Sequence, residues 1–244
     1  MRTMPPSRTP PAPSACWTNG HRLNSGVFDF QQARLGHGDQ VVFDSLTLTI
    51  EQGEKVALLG PSGAGKSTLL DALRSQQESI CAWCPQAGAL VPMLSVFHNI
   101  YMGALSRNRT LTNLRNLIAP SRHEREQVGA LATDLSLHDK LFTSVDQLSG
   151  GQAQRTALGR ALYTQRPVLL ADEPVSSLDE HQGLALLTLS LARHRSAVIA
   201  LHDRALALAC SDRIIGLQQG QIVLDAATRS LSLSDLDALY QDDA

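Results

Sequence analysis

Apolar residues fall along this chain in two kinds of pattern, short unbroken runs and periodic sets. Val56–Leu59, Val168–Ala171 and Ala197–Leu201 are unbroken runs bounded by turn or polar residues, and each reads as a strand buried within an α/β sheet. Gly26–Phe30 and Leu46–Ile50 alternate instead, which predicts a small antiparallel β flap before the first buried strand. Ser79–Cys84 reads as a further strand, stopped by Pro85 so that Gln86 falls on a loop. Asp212–Leu217 and Gln221–Asp225 read as a hairpin about Gln219-Gly220. Helical spacing begins at Thr68 and covers most of 94–147, with leucines at 105, 111, 114, 117, 131, 135 and 137. Pro120 breaks that stretch, and Ser121 with Glu124 predicts a capping box. Ala153–Leu162 and Leu233–Tyr240 complete the expected helices. The pattern is an α/β core interrupted by a helical insertion.

Composition narrows the picture. The 244 residues, 43% of them hydrophobic, can bury a substantial core. A net charge of −2 counts against a protein held to nucleic acid mainly through phosphates. No apolar run approaches the roughly 20 residues needed to span a bilayer, and the N-terminus has no secretory apolar region. A cytoplasmic setting is expected, with the four cysteines reduced. Residues 1–24 carry prolines at 5, 6, 10, 11 and 13 among Ser, Thr and Arg, a composition expected to be disordered. Cys81 and Cys84 lie three apart in a predicted strand, so they point to opposite faces, which suits shared metal ligation poorly.

Three stretches and one strand-end histidine carry chemistry. Gly60-Pro61-Ser62-Gly63-Ala64-Gly65-Lys66-Ser67 fits G-x-x-x-x-G-K-[ST] between a strand and a helix that opens at Thr68. Its glycines let backbone amides converge on phosphate oxygens, and the helix N-terminus adds partial positive charge. Lys66 is expected at the β- and γ-phosphates, and the Ser67 hydroxyl on Mg²⁺. Ser149-Gly150-Gly151-Gln152 opens a second helix and is a second candidate anion site. Pro167–Pro174 is a buried strand ending in two carboxylates, where open α/β sheets place their ligands. Strand alternation would let Asp172 serve Mg²⁺ waters while Glu173 orients or deprotonates an attacking water. His202 ends the next strand at the same edge and is expected to contact a γ-phosphate.

Taken together, residues 26–225 resemble the ATP-binding cassette (ABC) ATPases. The resemblance rests on the Walker A loop Gly60–Thr68, Gln86, the signature Leu148–Gln152, the Walker B acids Asp172 and Glu173, the D-loop Ser177–Asp179 and the switch residue His202, all in order. It implies a P-loop NTPase with a RecA-like core, a β flap and a helical subdomain over about 87–160, in one domain spanning 25–244. It implies ATP and Mg²⁺ as ligands, with Gln86 near both the ion and the reacting water. It also implies a head-to-tail homodimer in which each ATP lies between the Walker motifs of one copy and Ser149–Gln152, with Asp179, of the other. The chain then looks like the separate ATPase subunit of a transporter, peripheral on the cytoplasmic face of the inner membrane. Its partners would be integral membrane permease subunits and an extracytoplasmic solute-binding protein, with no nucleic acid. Residues 89–100 would lie near the permease.

A narrower similarity, to phosphonate-importer ATPases, rests on Ala89–Val96, Leu170–Asp179, Ala209–Leu217 and Leu233–Tyr240. Two departures stand out. The aromatic residue that relatives place about 25 positions before the Walker A loop is replaced here by Leu35 or His37. The stretch Asp71–Pro85 is also short, which implies a smaller flap. Two other functions fit the motifs: a soluble cassette ATPase of DNA repair or translation, and a regulatory module that holds ATP without turnover. The chain shows no tandem cassette or basic arm for the first, and intact Lys66, Asp172, Glu173 and His202 argue against the second.

Overall fold

The computed structural model describes residues 26–38, 40–86 and 90–243, and of 241–243 the backbone alone. The proline-rich stretch 1–24 lies outside the described residues, as do 87–89. Strand β3 (Lys55–Leu59) sits in the middle of a six-stranded sheet ordered β4-β5-β6-β3-β7-β8. Its neighbours β6 (Ser196–Ala200) and β7 (Arg213–Gln218) run parallel to it, as do β5 (Val168–Asp172) and β4 (Cys81–Cys84) beyond β6. Strand β8 (Gln221–Ala227) returns antiparallel through a turn in which Gln219 and Gly220 both have positive φ, the geometry that matches strand twist in two-residue hairpins.

Alternation along β3 divides the interior. Val56 and Leu58 join an apolar cluster with the flap and α1 (Lys66–Gln76), whereas Ala57 and Leu59 join one shared with the helical lobe. The same division separates Cys81 from Cys84, which pack in different clusters on opposite faces of β4. Burial pushes both thiols up to about 12.

The flap is a two-stranded antiparallel sheet of β1 (Gly26–His37) and β2 (Gln40–Glu51). Both strands are 12 residues long, well beyond the five-residue segments that alternate in sequence. Register shifts between Phe30 and Ala33 and on to Gly36, with Gln32 at φ 49°, break the two-residue period and hide the rest of each strand.

The helical lobe contains α2 (Val96–Tyr101), α3 (Thr110–Ile118), α4 (Arg122–Asp134) and α5 (Gly150–Tyr163). Its leucines divide into two groups. Leu131, Leu135 and Leu137 are buried, but Leu111 is 82% exposed and Leu105, Leu114 and Leu117 also face outward. In α3 the inward side is polar: the Tyr101 hydroxyl donates to Asn113 Oδ1 at 2.9 Å and accepts from Asn116 Nδ2 at 2.9 Å. The period was helical, and the face it buries is the asparagine face. The capping box at Ser121 forms only in half. The Ser121 hydroxyl accepts from the Glu124 amide at 3.3 Å, but the Glu124 carboxylate takes the Tyr163 hydroxyl, and the Ser121 amide goes to Asn116 Oδ1 at 3.0 Å. Helices α6 (Glu180–Ala192) and α7 (Arg204–Cys210) complete the core. The last expected helix is α8 (Leu233–Asp237), continued by a 3₁₀ turn over Ala238–Asp243.

Candidate functional site

Strand β3 delivers Gly60 to the loop, and α1 begins at Lys66, two residues earlier than the apolar pattern indicates. The first helical bond runs from the Leu69 amide to the Gly65 carbonyl at 2.9 Å. Gly65 has φ +106°, and a Cβ there would sit 2.7 Å from Phe43 Cζ, so flap packing and backbone geometry both demand glycine. Lys66 is only 7% exposed. Its Nζ donates to the Gly60 carbonyl at 2.6 Å and the Pro61 carbonyl at 3.0 Å. Burial lowers its pKa, opposed by the charges of Glu173 and Asp172. A cation in so little water interacts more strongly with an anion than an exposed lysine would.

Asp172 ends β5 and is buried. Burial raises its pKa, and a hydrogen bond from Ser67 and the charge of Lys66 oppose the rise. Glu173 does not continue the strand alternation. Its φ is +50°, which turns the side chain toward the phosphate loop while its amide still donates to Ala200 O at 3.1 Å. There Glu173 Oε2 accepts from Gln86 Nε2 at 2.9 Å, and Oε1 meets His202 Nε2. Side chains from the ends of β4 and β6 thus converge on the carboxylate at the end of β5. The turn is held from behind by Gln154 of α5, whose Nε2 donates to the Glu173 carbonyl at 2.6 Å and to Ser176 Oγ at 3.0 Å. Gln154 Oε1 also accepts from the Ser177 amide at 3.0 Å.

A cleft of about 460 Å³ joins Ser62, Gly63 and Gly65–Thr68 to Gln86, Glu173 and His202. Its far wall is the flap, through His37, Gln40 and Val42. Of the two residues expected in place of the missing aromatic, Leu35 is 2% exposed in the flap core, and His37 faces the cleft. Ala64 is buried beneath the loop.

The remaining expected site residues lie outside the cleft. Helix α5 starts at Gly150, not Ala153, because Ser149 caps it: Ser149 Oγ accepts from the Gln152 amide at 3.4 Å, and Gln152 Oε1 accepts from the Ser149 amide at 3.0 Å. Asp179 caps α6, its carboxylate accepting from the Gln182 amide at 2.9 Å. One chain therefore presents two separate helix starts suited to anions, and only one opens into the cleft.

A P-loop between a parallel strand and a helix, an acid pair at the adjoining strand end and a signature helix define an ATP-binding cassette. The chain belongs to the ABC transporter family, whose model matches residues 43–176. It is 37% identical to the phosphonates import ATP-binding protein PhnC of Pseudomonas putida over 85% of this chain and 87% of that protein. With the corresponding protein 1 of Natronomonas pharaonis it shares 36% identity over 84% of this chain and 96% of the other. Among solved structures, a dimeric bacterial ABC transporter cassette matches with TM-score 0.66 and 26% identity, covering 80% of this chain and 94% of that one. A cassette in a post-hydrolysis state bound to ADP and Pi shares the fold at TM-score 0.68 and 24% identity, over 83% of this chain and 99% of that one.

Sequence reasoning missed Gln40 and Val42 as cleft residues, because the bulged part of β2 shows no period. It also missed Gln154, although that residue stands two places after the signature on the helix the signature opens.

Proposed function

We propose that this chain is the ATP-hydrolysing subunit of an importer of phosphonate-type solutes, acting as a head-to-tail pair of copies on integral membrane permease subunits. The observation that carries the reading is the Glu173 carboxylate, held by Gln86 and His202 beside the desolvated Lys66. Lys66 and the loop amides from Gly63 to Thr68 bind the triphosphate. Glu173 orients a water and accepts its proton as the water attacks. His202 and Gln86 fix the Glu173 carboxylate, and His202 also reaches the γ-phosphate. Ser67 and Asp172, close enough that the hydroxyl holds the carboxyl's pKa down, are hard oxygen donors of the kind Mg²⁺ takes together with phosphate oxygens. That ion would neutralise charge on the β- and γ-phosphates.

Ser149–Gln152 and Asp179, both outside the cleft, complete the site of a second copy. The γ-phosphate would thus bridge the two copies, so ATP closes the pair and hydrolysis releases it. The permease would dock on the helical lobe, where Met93, Leu111, Ile118 and Phe142 expose apolar surface. Among the described residues no helix is long and apolar enough to cross a membrane, which accords with a peripheral subunit on the cytoplasmic side. The names of the relatives support import over repair, translation or a turnover-free module, and in an importer a solute-binding protein would deliver the cargo.

The test is reconstitution of the chain with its permease in proteoliposomes. ATP turnover is expected to rise when a phosphonate-loaded solute-binding protein is added, and not when the loaded solute is another oxyanion. Turnover indifferent to permease and cargo would point to a cassette outside transport.

A further inference from the structure

The family match ends at residue 176, yet the closing segment Leu233–Tyr240 is built into the nucleotide site from behind. Leu236 and Leu239 are buried, and the Leu239 carbonyl accepts from Gln218 Nε2 at 3.1 Å. These contacts fix Tyr240, whose hydroxyl accepts from the Gly60 amide at 3.2 Å. Gly60 is the first residue of the phosphate loop, and its carbonyl is the acceptor for Lys66 Nζ at 2.6 Å. Both polar groups of Gly60 are thereby committed, one to Tyr240 and one to Lys66. Gly60 has φ +145°, and a Cβ there would lie 2.1 Å from the Leu217 carbonyl oxygen, so β7 closes the remaining side. Burial pushes the Tyr240 phenol up, so the ring keeps its hydroxyl proton beside Gly60.

The other face of the same ring meets the second half of the site. The Arg204 guanidinium lies 5.3 Å from the Tyr240 ring centroid and also pairs with Asp237 of α8. Arg204 opens α7 and stands two residues after His202, on the arm that carries that histidine to Glu173. One side chain therefore touches the loop that carries Lys66 and the arm that carries His202. A partly buried hydrogen bond and a cation–π contact are each short-ranged, so a shift of either element breaks its contact with Tyr240.

We propose that Tyr240 is a positioning residue for ATP turnover, fixing the phosphate loop and the His202 arm at one spacing. The inference rests on the reading above that Lys66 and His202 act on the same nucleotide.

Tyr240→Phe in the full chain keeps the ring over Arg204 and leaves the Gly60 amide without its acceptor. The expected result is a loss of ATP affinity of about 5–20-fold, the lower part of the range for a buried donor left unpaired. The turnover number at saturating ATP should stay within about threefold, so KM and kcat separate. Arg204→Met is expected to lower kcat about 3–10-fold, the worth of a lost cation–π contact and partly exposed ion pair, with affinity kept. Arg204→Lys, which restores a cation over the ring, should recover most of it. Tyr240→Leu, which removes both contacts, is expected to move both constants, and adding Arg204→Met to it should change kcat little further. The proposal is overturned if Tyr240→Phe lowers the melting temperature and leaves ATP affinity unchanged. Multiplicative effects on kcat when Tyr240→Leu and Arg204→Met are combined would overturn it equally. Lys66→Ala is the control for the underlying reading. Unchanged affinity in that variant would remove both readings, whereas a loss there beside an inert Tyr240→Phe would remove the Tyr240 proposal alone.

Discussion

Replacing Glu173 with Gln tests the chemistry with the least disturbance to shape. The amide is isosteric with the carboxylate, and at φ +50° it meets the same backbone constraints. What changes is the bonding. Glu173 accepts from Gln86 Nε2 at 2.9 Å through one oxygen and meets His202 through the other, and an amide offers only one acceptor oxygen. Whichever way it is turned, one of those two contacts meets an NH₂ group, and the variant has no base to take a proton from water. Loss of a positioned general base costs about 10²–10⁴-fold, or about 3–5 kcal/mol in barrier height. Because Lys66 and the loop amides are untouched, ATP affinity should change less than about threefold, within roughly 0.65 kcal/mol. Single-turnover phosphate release read beside equilibrium nucleotide binding separates the two effects. Hydrolysis within about threefold of the parent would refute the assignment of Glu173 as base. A parallel collapse of ATP binding would instead make it a binding residue.

Other outcomes follow from the same geometry. Lys66→Ala removes a charge-assisted contact worth about 1.5–3 kcal/mol, so ATP affinity measured by calorimetry should fall about 10–150-fold. Cys81 and Cys84 have folded-state values raised from 9.0 to about 12, so the stability they contribute is full below pH 9 and falls as pH rises toward 12. Cys84→Ala should therefore show a shallower loss of denaturant stability between pH 8 and 10 than the parent, the steps chosen to bracket about pH 9. Ile118 is 81% exposed, so Ile118→Glu should shift the melting temperature by only about 1–2 °C while weakening co-purification with the permease.

The sequence revealed those parts of the site whose chemistry depends on local order. Gly60–Thr68 needs its glycines at fixed spacing, and Asp172 and Glu173 follow an apolar run, so strand, loop and acids are all legible in the sequence. Features set by distant contacts were not. The αL turn of Glu173 has no local marker, since the residue is not glycine, and it depends on Gln154 nineteen positions away. Helix α3 has a correct period and an inverted face, because Asn113 and Asn116 find Tyr101 and outcompete the leucines for the inward side. The flap strands were seen only where they alternate, and the bulges around Gln32 concealed the residues that wall the cleft. Leu35 and His37 were equivalent in sequence, and only pairing in β1 sends one to the core and the other to the cleft. Tyr240 closes a helix in the sequence, and the bond from its hydroxyl to Gly60 spans 180 positions.

The central claim is that a second copy completes the cleft, because Ser149–Gln152 and Asp179 stand outside the cleft of their own chain. Light scattering of Glu173→Gln with ATP, with ADP and without nucleotide tests it most directly. The account predicts twice the monomer mass with ATP alone, and loss of that species when Ser149 is replaced by Arg. A monomer under all three conditions, or a dimer indifferent to nucleotide and to Ser149→Arg, would contradict it.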